Sequence, residues 1–253
     1  MRYVLPDSLD QDSIKKEVAA LGYWQQRVRL AENVHTPGVW SGTKMAEVLL
    51  FEFPETFWEG KRVLDIGANS GGLTLELIRC GASLTATNPY DVHRKQIEWW
   101  KQRIGVPDER LRVTDHHLFR VHELGSFDVV LCLGLIYHFR HPQLVLDYIG
   151  NVPADHYVFS TQTYKSPDLV MTNRAAITPQ FARGGRPLQG WHFSRPLFLK
   201  MLGMAGFAAP REIRHPAAIY DFGETRKGLT NTGYFAADRG KPVDIKEETE
   251  RFI

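Results

Sequence analysis

Hydrophobic and polar positions repeat along the middle of the chain with two periods, one typical of buried strands and one typical of amphipathic helices. Short apolar runs that stop at turn residues predict strands at 62–66, 83–87, 111–114, 127–133 and 156–161. Between them, apolar residues spaced three or four apart predict helices at 73–80, 92–105 and 142–149. Strand and helix in strict alternation predict βαβ units, and therefore an α/β fold with a mostly parallel sheet and helices on both faces.

The two ends of the chain follow a different pattern. Ser8 or Asp10 is a candidate cap for a first helix that stops at Gly22, and 43–51 predicts a second helix. Residues 165–190 are rich in Pro, Gly, Arg and Asn and are too long for a simple connection, so they predict a lid. A helix from Ser194 and strands near 212–214 and 233–237 follow. We therefore predict one domain over 1–253, with an N-terminal helical segment (1–58), a core (59–164), a lid insertion (165–192) and the C-terminal part of the core (193–240).

Composition excludes several classes of protein. A length of 253 residues, with 43% hydrophobic and 24% charged residues, fits one large globular domain and excludes a disordered or collagen-like chain. The 31 basic and 29 acidic residues leave a formal charge of +2, so the chain as a whole has little attraction for nucleic acid. The apolar runs are too short to span a membrane, and the first residues lack the pattern of a signal peptide. Cys80 and Cys132 stand far apart, which predicts a cytoplasmic protein without disulfides.

A glycine-rich turn follows the first predicted strand, in the sequence Val63-Leu64-Asp65-Ile66-Gly67-Ala68-Asn69-Ser70-Gly71-Gly72. Glycines here allow the backbone to approach a nucleotide-like ligand closely. A dinucleotide would place its pyrophosphate at the N-terminus of the next helix, where the carboxylate of Asp65 would repel it. The carboxylate would attract a cation instead. S-adenosylmethionine (SAM) has a sulfonium and an ammonium group and no phosphate, so this turn favours SAM.

With this turn the chain resembles the class I SAM-dependent methyltransferases over residues 60–240. The turn of that family is acid-x-Gly-x-Gly-x-Gly, and Asp65, Gly67, Asn69 and Gly71 match it except that asparagine replaces the middle glycine. Asparagine tolerates a left-handed backbone better than most residues, so we expect the turn to survive. The resemblance implies a Rossmann-like, seven-stranded sheet, a ribose contact at Asn88 after the second strand, and an adenine pocket in the loop after the third strand, at Asp115, His116, His117 and Leu118. Leu133, in the fourth predicted strand, is a further predicted cofactor contact.

A second motif is similar to that of enzymes that modify the wobble uridine of tRNA. Gly134-Leu135-Ile136-Tyr137-His138-Phe139-Arg140-His141-Pro142 follows their Gly-x-x-Tyr-His-x-x-x-Pro pattern, and a later helix ends in Gly206-Phe207 as theirs does. In that family, basic residues bind an extra carboxylate on a modified cofactor, and Trp40 and Lys44 match part of the set. The expected arginine before the last strand is replaced by Thr230-Asn231-Thr232. Plain SAM is therefore the predicted donor.

Candidate catalytic and acceptor-binding residues follow from these positions. Tyr137 and His138 come after the fourth strand, and an imidazole titrates near neutrality as a general base must. The open alternative is that His138 packs under the next helix. Trp191 and His192, with Arg183 and Arg186 before them, are candidates to line the acceptor pocket, where arginines would suit a carboxylate or phosphate. A solvated loop with one anchoring tryptophan fits the same sequence.

The sequence predicts no metal site, because its histidines lack the spacing of zinc ligands. We predict a methyltransferase that acts on a nucleophilic oxygen or nitrogen of a small metabolite, since the net charge speaks against a large polyanion. A tRNA base is the alternative acceptor, and a non-catalytic binding module is a further alternative. Asp65 and the lack of a Gly-x-Gly-x-x-Gly motif argue against an NAD-linked oxidoreductase.

Overall fold

The computed structural model describes residues 3–6, 10–173, 190–215 and 230–245. The chain divides into two compact units, 1–117 and 118–253. Ser8 lies outside the described residues, as do Arg183 and Arg186 and most of the predicted lid. In the described ranges, no helix combines the length and the apolar character that crossing a membrane requires.

The first unit begins with the predicted helix, α1 (Gln11–Ala20). Asp10 is its N-cap, and its carboxylate accepts hydrogen bonds from the backbone amides of Asp12 and Ser13. The irregular aromatic stretch that follows contains four short strands: β1 (Gln26–Arg27), β2 (Arg29–Ala31), β3 (Val34–His35) and β4 (Trp40–Ser41). β1 pairs parallel with β4, and β2 pairs antiparallel with β3. Strands of two or three residues show no periodicity, which is why the sequence did not predict them.

The rest of the first unit is a parallel sheet with its connecting helices. Helix α2 (Gly42–Glu52) precedes β5 (Arg62–Ile66), α3 (Gly72–Arg79), β6 (Ser83–Thr87), α4 (Asp91–Ile104) and β7 (Leu111–Thr114). The last residues of the three strands are in register, Ile66 beside Thr87 and Thr87 beside Thr114. The turns that start at residues 67, 88 and 115 therefore leave the same edge of the sheet.

The second unit is built around a long strand. β8 (Val129–Leu133) pairs parallel with β9 (His156–Tyr164), and α5 (Pro142–Gly150) connects them. The last pair is Leu133 with Ser160, so the end of β9 extends beyond β8. There it pairs parallel with β11 (Trp191–Ser194), which pairs antiparallel with β10 (Met171–Asn173). After α6 (Arg195–Met204) and β12 (Ala208–Ile213), β13 (Thr230–Asp238) runs antiparallel to both β12 and β9.

The α/β class with a mostly parallel sheet is confirmed. The seven predicted strands are present among the described residues, three in the first unit and four in the second: β5, β6, β7, β8, β9, β12 and β13. β10 and β11, at the two ends of the predicted lid, were not expected. Both are short and depend on tertiary pairing, which intrinsic propensity does not report. The expectation of one domain stays a prediction.

Candidate active site

The turn after β5 adopts a left-handed backbone at three positions. Gly67, Asn69 and Gly71 have φ angles of 72°, 54° and 78°. The structure thus bears out the prediction that asparagine can replace the middle glycine. The side chain of Asn69 also fixes the turn, because its Oδ1 accepts from the amide of Ser70 at 2.7 Å and its Nδ2 donates to Oε1 of Gln25 at 3.0 Å.

Helix α4 holds the same turn from the other side. A Cβ on Gly71 would lie 2.7 Å from the ring of Trp100, whose Nε1 donates to the carbonyl of Ser70 at 2.9 Å. Gln96 is fully buried, accepts from the hydroxyl of Ser70 at 2.8 Å and donates to the carbonyl of Tyr23 at 2.9 Å. Sequence reasoning did not single out Gln96. A glutamine on the apolar side of a helix, next to Ile97 and one turn before Trp100, was the available clue.

Asp65 is the acidic residue near the end of β5, two residues before this turn begins. Its side chain is buried, and the hydroxyl of Thr74 donates to its Oδ2 at 2.7 Å. Burial raises the pKa of the Asp65 carboxyl to about 6, and the hydrogen bond from Thr74 opposes the rise. At neutral pH the carboxylate is therefore ionised at a free-energy cost. A cationic ligand beside it would relieve that cost.

Protein atoms contact the first residue of α3 closely. Its first amide, of Gly72, donates to the side-chain oxygen of Gln26. A Cβ on Gly72 would lie 2.5 Å from the carbonyl oxygen of Arg27, and one on Gly42 would lie 2.2 Å from the carbonyl carbon of Gly72. Dinucleotide sites use this helix end to bind a pyrophosphate. Here the neutral oxygen of Gln26 takes that amide, which argues for a ligand without phosphate.

The other predicted cofactor residues of the first unit lie at the same sheet edge or beside it. Asn88 directly follows β6 and is buried, and its Oδ1 accepts from the amide of Tyr90 at 2.9 Å. After β7, Asp115 and His117 are exposed, while His116 is half-buried and bonded to the hydroxyl of Thr114. Trp40 lies on β4, and Lys44 is exposed in the first turn of α2, whose first residue packs on the start of α3.

The candidate catalytic residues belong to the second unit. Leu133 ends β8, and Tyr137 and His138 form part of the 3₁₀ turn 136–138. The centroids of their two rings are 4.1 Å apart. His138 is exposed, so it is not packed under α5 as the alternative had it. The turn packs against both β9 and β11.

Those two strands carry the predicted acceptor residues and several that the sequence missed. Trp191 is half-buried and His192 buried on β11. Beside them, the end of β9 contains a buried polar run, Ser160-Thr161-Gln162-Thr163. Its clue was four consecutive polar residues at the end of an apolar strand. Arg186, also predicted for this pocket, is outside the described residues.

Two further findings concern binding sites. Within the described ranges, no group of three or more His, Cys, Asp or Glu side chains is arranged to hold a metal ion.

A cavity of about 400 Å³ lies in the first unit between α1 and the β2–β3 hairpin, with Ile14, Val18 and Val34 in its wall. The predicted cofactor residues do not line it.

Comparison with known proteins decides the family. A family model described as a methyltransferase domain matches residues 40–208. The chain belongs to this methyltransferase family. The predicted methyltransferase family is thereby confirmed.

Individual relatives match over shorter stretches. Over 113 residues the chain is 35% identical to a ubiquinone biosynthesis O-methyltransferase of Nitrosococcus oceani. This match covers 40% of this chain and 44% of the relative. Over 121 residues it is 26% identical to a tRNA U34 carboxymethyltransferase of Helicobacter hepaticus, 46% of this chain and 38% of the relative. The matches thus span less than half the length of these relatives.

Solved structures show the same fold over most of the chain. The N-terminal domain of EvdMO1, solved with S-adenosylhomocysteine (SAH) bound, has a TM-score of 0.64 at 21% identity, covering 92% of this chain and 98% of that one. Magnesium protoporphyrin IX methyltransferase from Synechocystis PCC 6803, solved with SAM bound, has a TM-score of 0.53 at 15% identity, covering 78% of each chain. These similarities confirm the Rossmann-like methyltransferase fold.

Proposed function

We propose that this protein transfers the methyl group of SAM to an oxygen or nitrogen atom of a small molecule. The observation that carries the proposal is the buried carboxylate of Asp65 beside a left-handed turn, next to a helix N-terminus whose first amide is already bonded to Gln26. That arrangement suits a cation, and the first amide of α3 is not available to a phosphate. Membership of the methyltransferase family supports the same conclusion.

Most of the proposed cofactor contacts lie at or beside the sheet edge of the first unit. Asp65 and the turn would hold the cationic methionine end of SAM. Asn88 would face the ribose, with one lone pair of Oδ1 left beside its bond to Tyr90. The remaining proposed contacts are Gly67, Asn69, Gly71, Asp115, His116, His117, Leu133 and Lys44. Structures related in fold were solved with SAM or SAH, which supports SAM as the donor.

The chemistry asks little of the protein beyond alignment. SAM supplies an electrophilic methyl group: the acceptor atom forms a bond to its carbon, the carbon–sulfur bond breaks, and the electron pair stays on sulfur. The protein must place the acceptor in line and exclude water. A hydroxyl acceptor also loses a proton. The exposed imidazole of His138 would take that proton, and Tyr137 would position the acceptor against it.

The similar proteins support two different classes of acceptor. A small-molecule acceptor is supported by the ubiquinone O-methyltransferase relatives and by a structure of the EvdMO1 domain solved in the presence of SAH and D-fucose. The tRNA U34 carboxymethyltransferase relative supports the alternative of a tRNA base. We favour the small molecule and a cytoplasmic location. The candidate acceptor contacts are Trp191, His192 and Arg186 in the second unit, and Trp40 is a separate candidate in the first.

The role of His138 is testable by substitution. We expect His138→Ala to leave SAH affinity unchanged in calorimetry and to slow methyl transfer about 100-fold or more, because a positioned base contributes on that scale. Transfer is measured with radiolabelled SAM and a metabolite extract or total tRNA as separate acceptors. His141→Ala removes an exposed histidine three residues away and is the control. Unchanged transfer in His138→Ala would exclude it as the base, and a protein that SAH does not stabilise against heat would favour the non-catalytic alternative.

A further inference from the structure

The carboxyl end of β9 is polar where a buried strand is normally apolar. Ser160, Thr161, Gln162 and Thr163 are each at most 5% exposed. The first half of the same strand follows the usual pattern, with Val158 and Phe159 fully buried. The change from apolar to polar occurs where β9 passes the end of β8. Burial alone therefore does not account for these side chains.

The polar residues divide between the two faces of the strand. Side chains alternate along a strand, so Thr161 shares a face with Thr163 and Trp191 shares a face with Phe193. Phe193 and Thr163 are direct partners, which places Thr161 and Trp191 on the same face of neighbouring strands. Gln162 points to the opposite face, where its Nε2 donates to the hydroxyl of its partner Thr232 at 3.5 Å.

On the face shared by Thr161 and Trp191, one polar atom of each side chain lacks a hydrogen-bond partner among the described residues. The hydroxyl of Thr161 and the indole Nε1 of Trp191 are buried and make no hydrogen bond among the described residues. An unpaired buried donor costs free energy in the folded protein, and buried polar groups in native proteins are nearly always paired. Valine would fill the place of Thr161 without that cost. A bound molecule that completes both hydrogen bonds explains why the polar groups are there.

The types of group specify the chemistry of that molecule. An indole nitrogen only donates, so it requires an acceptor oxygen, whereas a hydroxyl both donates and accepts. The polar side chains at this level of β9, β11 and β13 include no Lys, Arg, Asp or Glu within the described residues. Among the described residues the site therefore supplies hydrogen-bonding groups and no counter-ion, which suits a neutral molecule, because a buried charge without a counter-ion is costly. The aromatic face of Trp191 suits the C–H groups of a saturated ring.

We propose that the carboxyl end of β9 binds the methyl acceptor, and that this acceptor is a neutral, polyhydroxylated ring of the sugar class positioned by Thr161 and Trp191. The inference rests on the proposed function, since the 3₁₀ turn with the candidate base His138 packs against the same two strands. Thr161 and Trp191 are positioning residues in this account. They fix which hydroxyl of the ring reaches the base.

The experiment separates the acceptor from the donor. SAH binding to the wild type, Thr161→Val and Trp191→Phe is measured by calorimetry. Binding of neutral sugars (D-fucose, D-xylose and D-glucose), of D-glucuronate and of catechol is then measured by ligand-observed NMR, with and without SAH. Thr85→Val, a half-buried threonine on β6, is the matched control.

We expect at least one neutral sugar to bind saturably and more tightly than glucuronate or catechol. Thr161→Val should weaken that binding about fivefold, as for one lost hydrogen bond, with SAH affinity unchanged. The same variant should melt at a higher temperature, because an unpaired buried hydroxyl is gone. If Thr161 had a merely structural role, Thr161→Val would raise the melting temperature and leave sugar affinity unchanged.

Three results would overturn the inference: catechol or glucuronate binding more tightly than every neutral sugar, no sugar binding, or sugar affinity unchanged in both Thr161→Val and Trp191→Phe. Failure of SAH to bind would overturn the proposed function instead. In that case, a neutral sugar that binds the wild type in the absence of SAH but does not bind Thr161→Val would still support the sugar site at the end of β9.

Discussion

Asp65 illustrates how one residue can lower stability and serve function. Its folded-state pKa of about 6 lies above the ordinary value of 3.8. The folded protein therefore holds a proton between about pH 4 and 6 that the unfolded chain releases, and stability falls as pH rises through this window. By neutral pH the ionised carboxylate is buried in the apoprotein at full cost. We interpret that cost as preparation for a cationic ligand.

Asp65→Asn should therefore stabilise the apoprotein and weaken the binding of SAM. Asparagine can still accept from Thr74, and removal of the buried charge should raise the free energy of unfolding at neutral pH by up to about 3 kcal/mol. Affinity for SAM should fall at least about tenfold, and more than affinity for SAH, which lacks the sulfonium charge. For the wild type, SAM binding should weaken as pH falls below about 6. Calorimetry and thermal melts at several pH values measure both effects.

Asp108→Asn is the control, because Asp108 is exposed and its hydrogen bond with Lys101 lowers the pKa of its carboxyl. It should not stabilise the protein and should leave SAM affinity unchanged. Equal losses of SAM and SAH affinity in Asp65→Asn would show that the carboxylate does not act on the sulfonium.

Single residues of the site differ in how far the sequence reveals them. Asp65 and Asn69 were predictable, because their roles depend on charge and on backbone conformation within one turn. Gln26 and Gln96 were not, because each acts on the turn from a distant segment of the chain. A sequence without an alignment carries no record of such contacts.

At the scale of elements, the start of α3 packs against β1 so closely that no further side-chain atom fits between them. Gly72→Ala should destabilise the protein by about 1–3 kcal/mol, because its Cβ would overlap the backbone of Arg27. It should also weaken SAH binding, since β1 would have to move away from the turn. Denaturant unfolding and calorimetry measure the two effects.

Gly203→Ala is the matched control within α6. No atom lies within 4 Å of the Cβ it would add, so this variant should gain about 0.5–1 kcal/mol of stability from helix propensity. Equal stability of the two variants would show that β1 and α3 are not in close contact.

Elements were predictable where one period persisted for about five residues or more. The strands 62–66, 83–87 and 111–114 agree with β5, β6 and β7 to the residue. The short strands β1–β4 and β10–β11 were missed, because their pairing comes from partners elsewhere in the sequence. The candidate acceptor face depends on β11, so that part of the site was only partly predictable.

At the scale of the whole molecule, the net charge of +2 separates the two acceptor classes. If tRNA is the acceptor, its affinity should fall by about 1,000-fold or more between about 50 and 200 mM salt, as phosphate contacts require. We expect instead that methyl transfer to the small-molecule fraction changes less than about twofold over that range, because a neutral acceptor releases no counterions. The assay with radiolabelled SAM measures both. A steep salt dependence with tRNA as the methylated species would reverse our choice.

The fold class followed from the alternation of strand and helix, and the family from the resemblance of the turn motif to that of class I methyltransferases. Division of the chain into units 1–117 and 118–253 did not follow, since no change of composition marks it. Patterning reports which residues are buried, and it does not report how a chain divides into compact parts.

The bond from Gly72 to Gln26 bears on attempts to redesign this protein for another nucleotide. Exchange of Asp65 for a neutral residue would remove the repulsion of an anion, yet the first amide of α3 would still be engaged. A designer who wanted NAD recognition would have to shorten the glutamine as well and then rebuild the support it gives. A change of ligand would therefore require changes at both Asp65 and Gln26, which lie far apart in the chain.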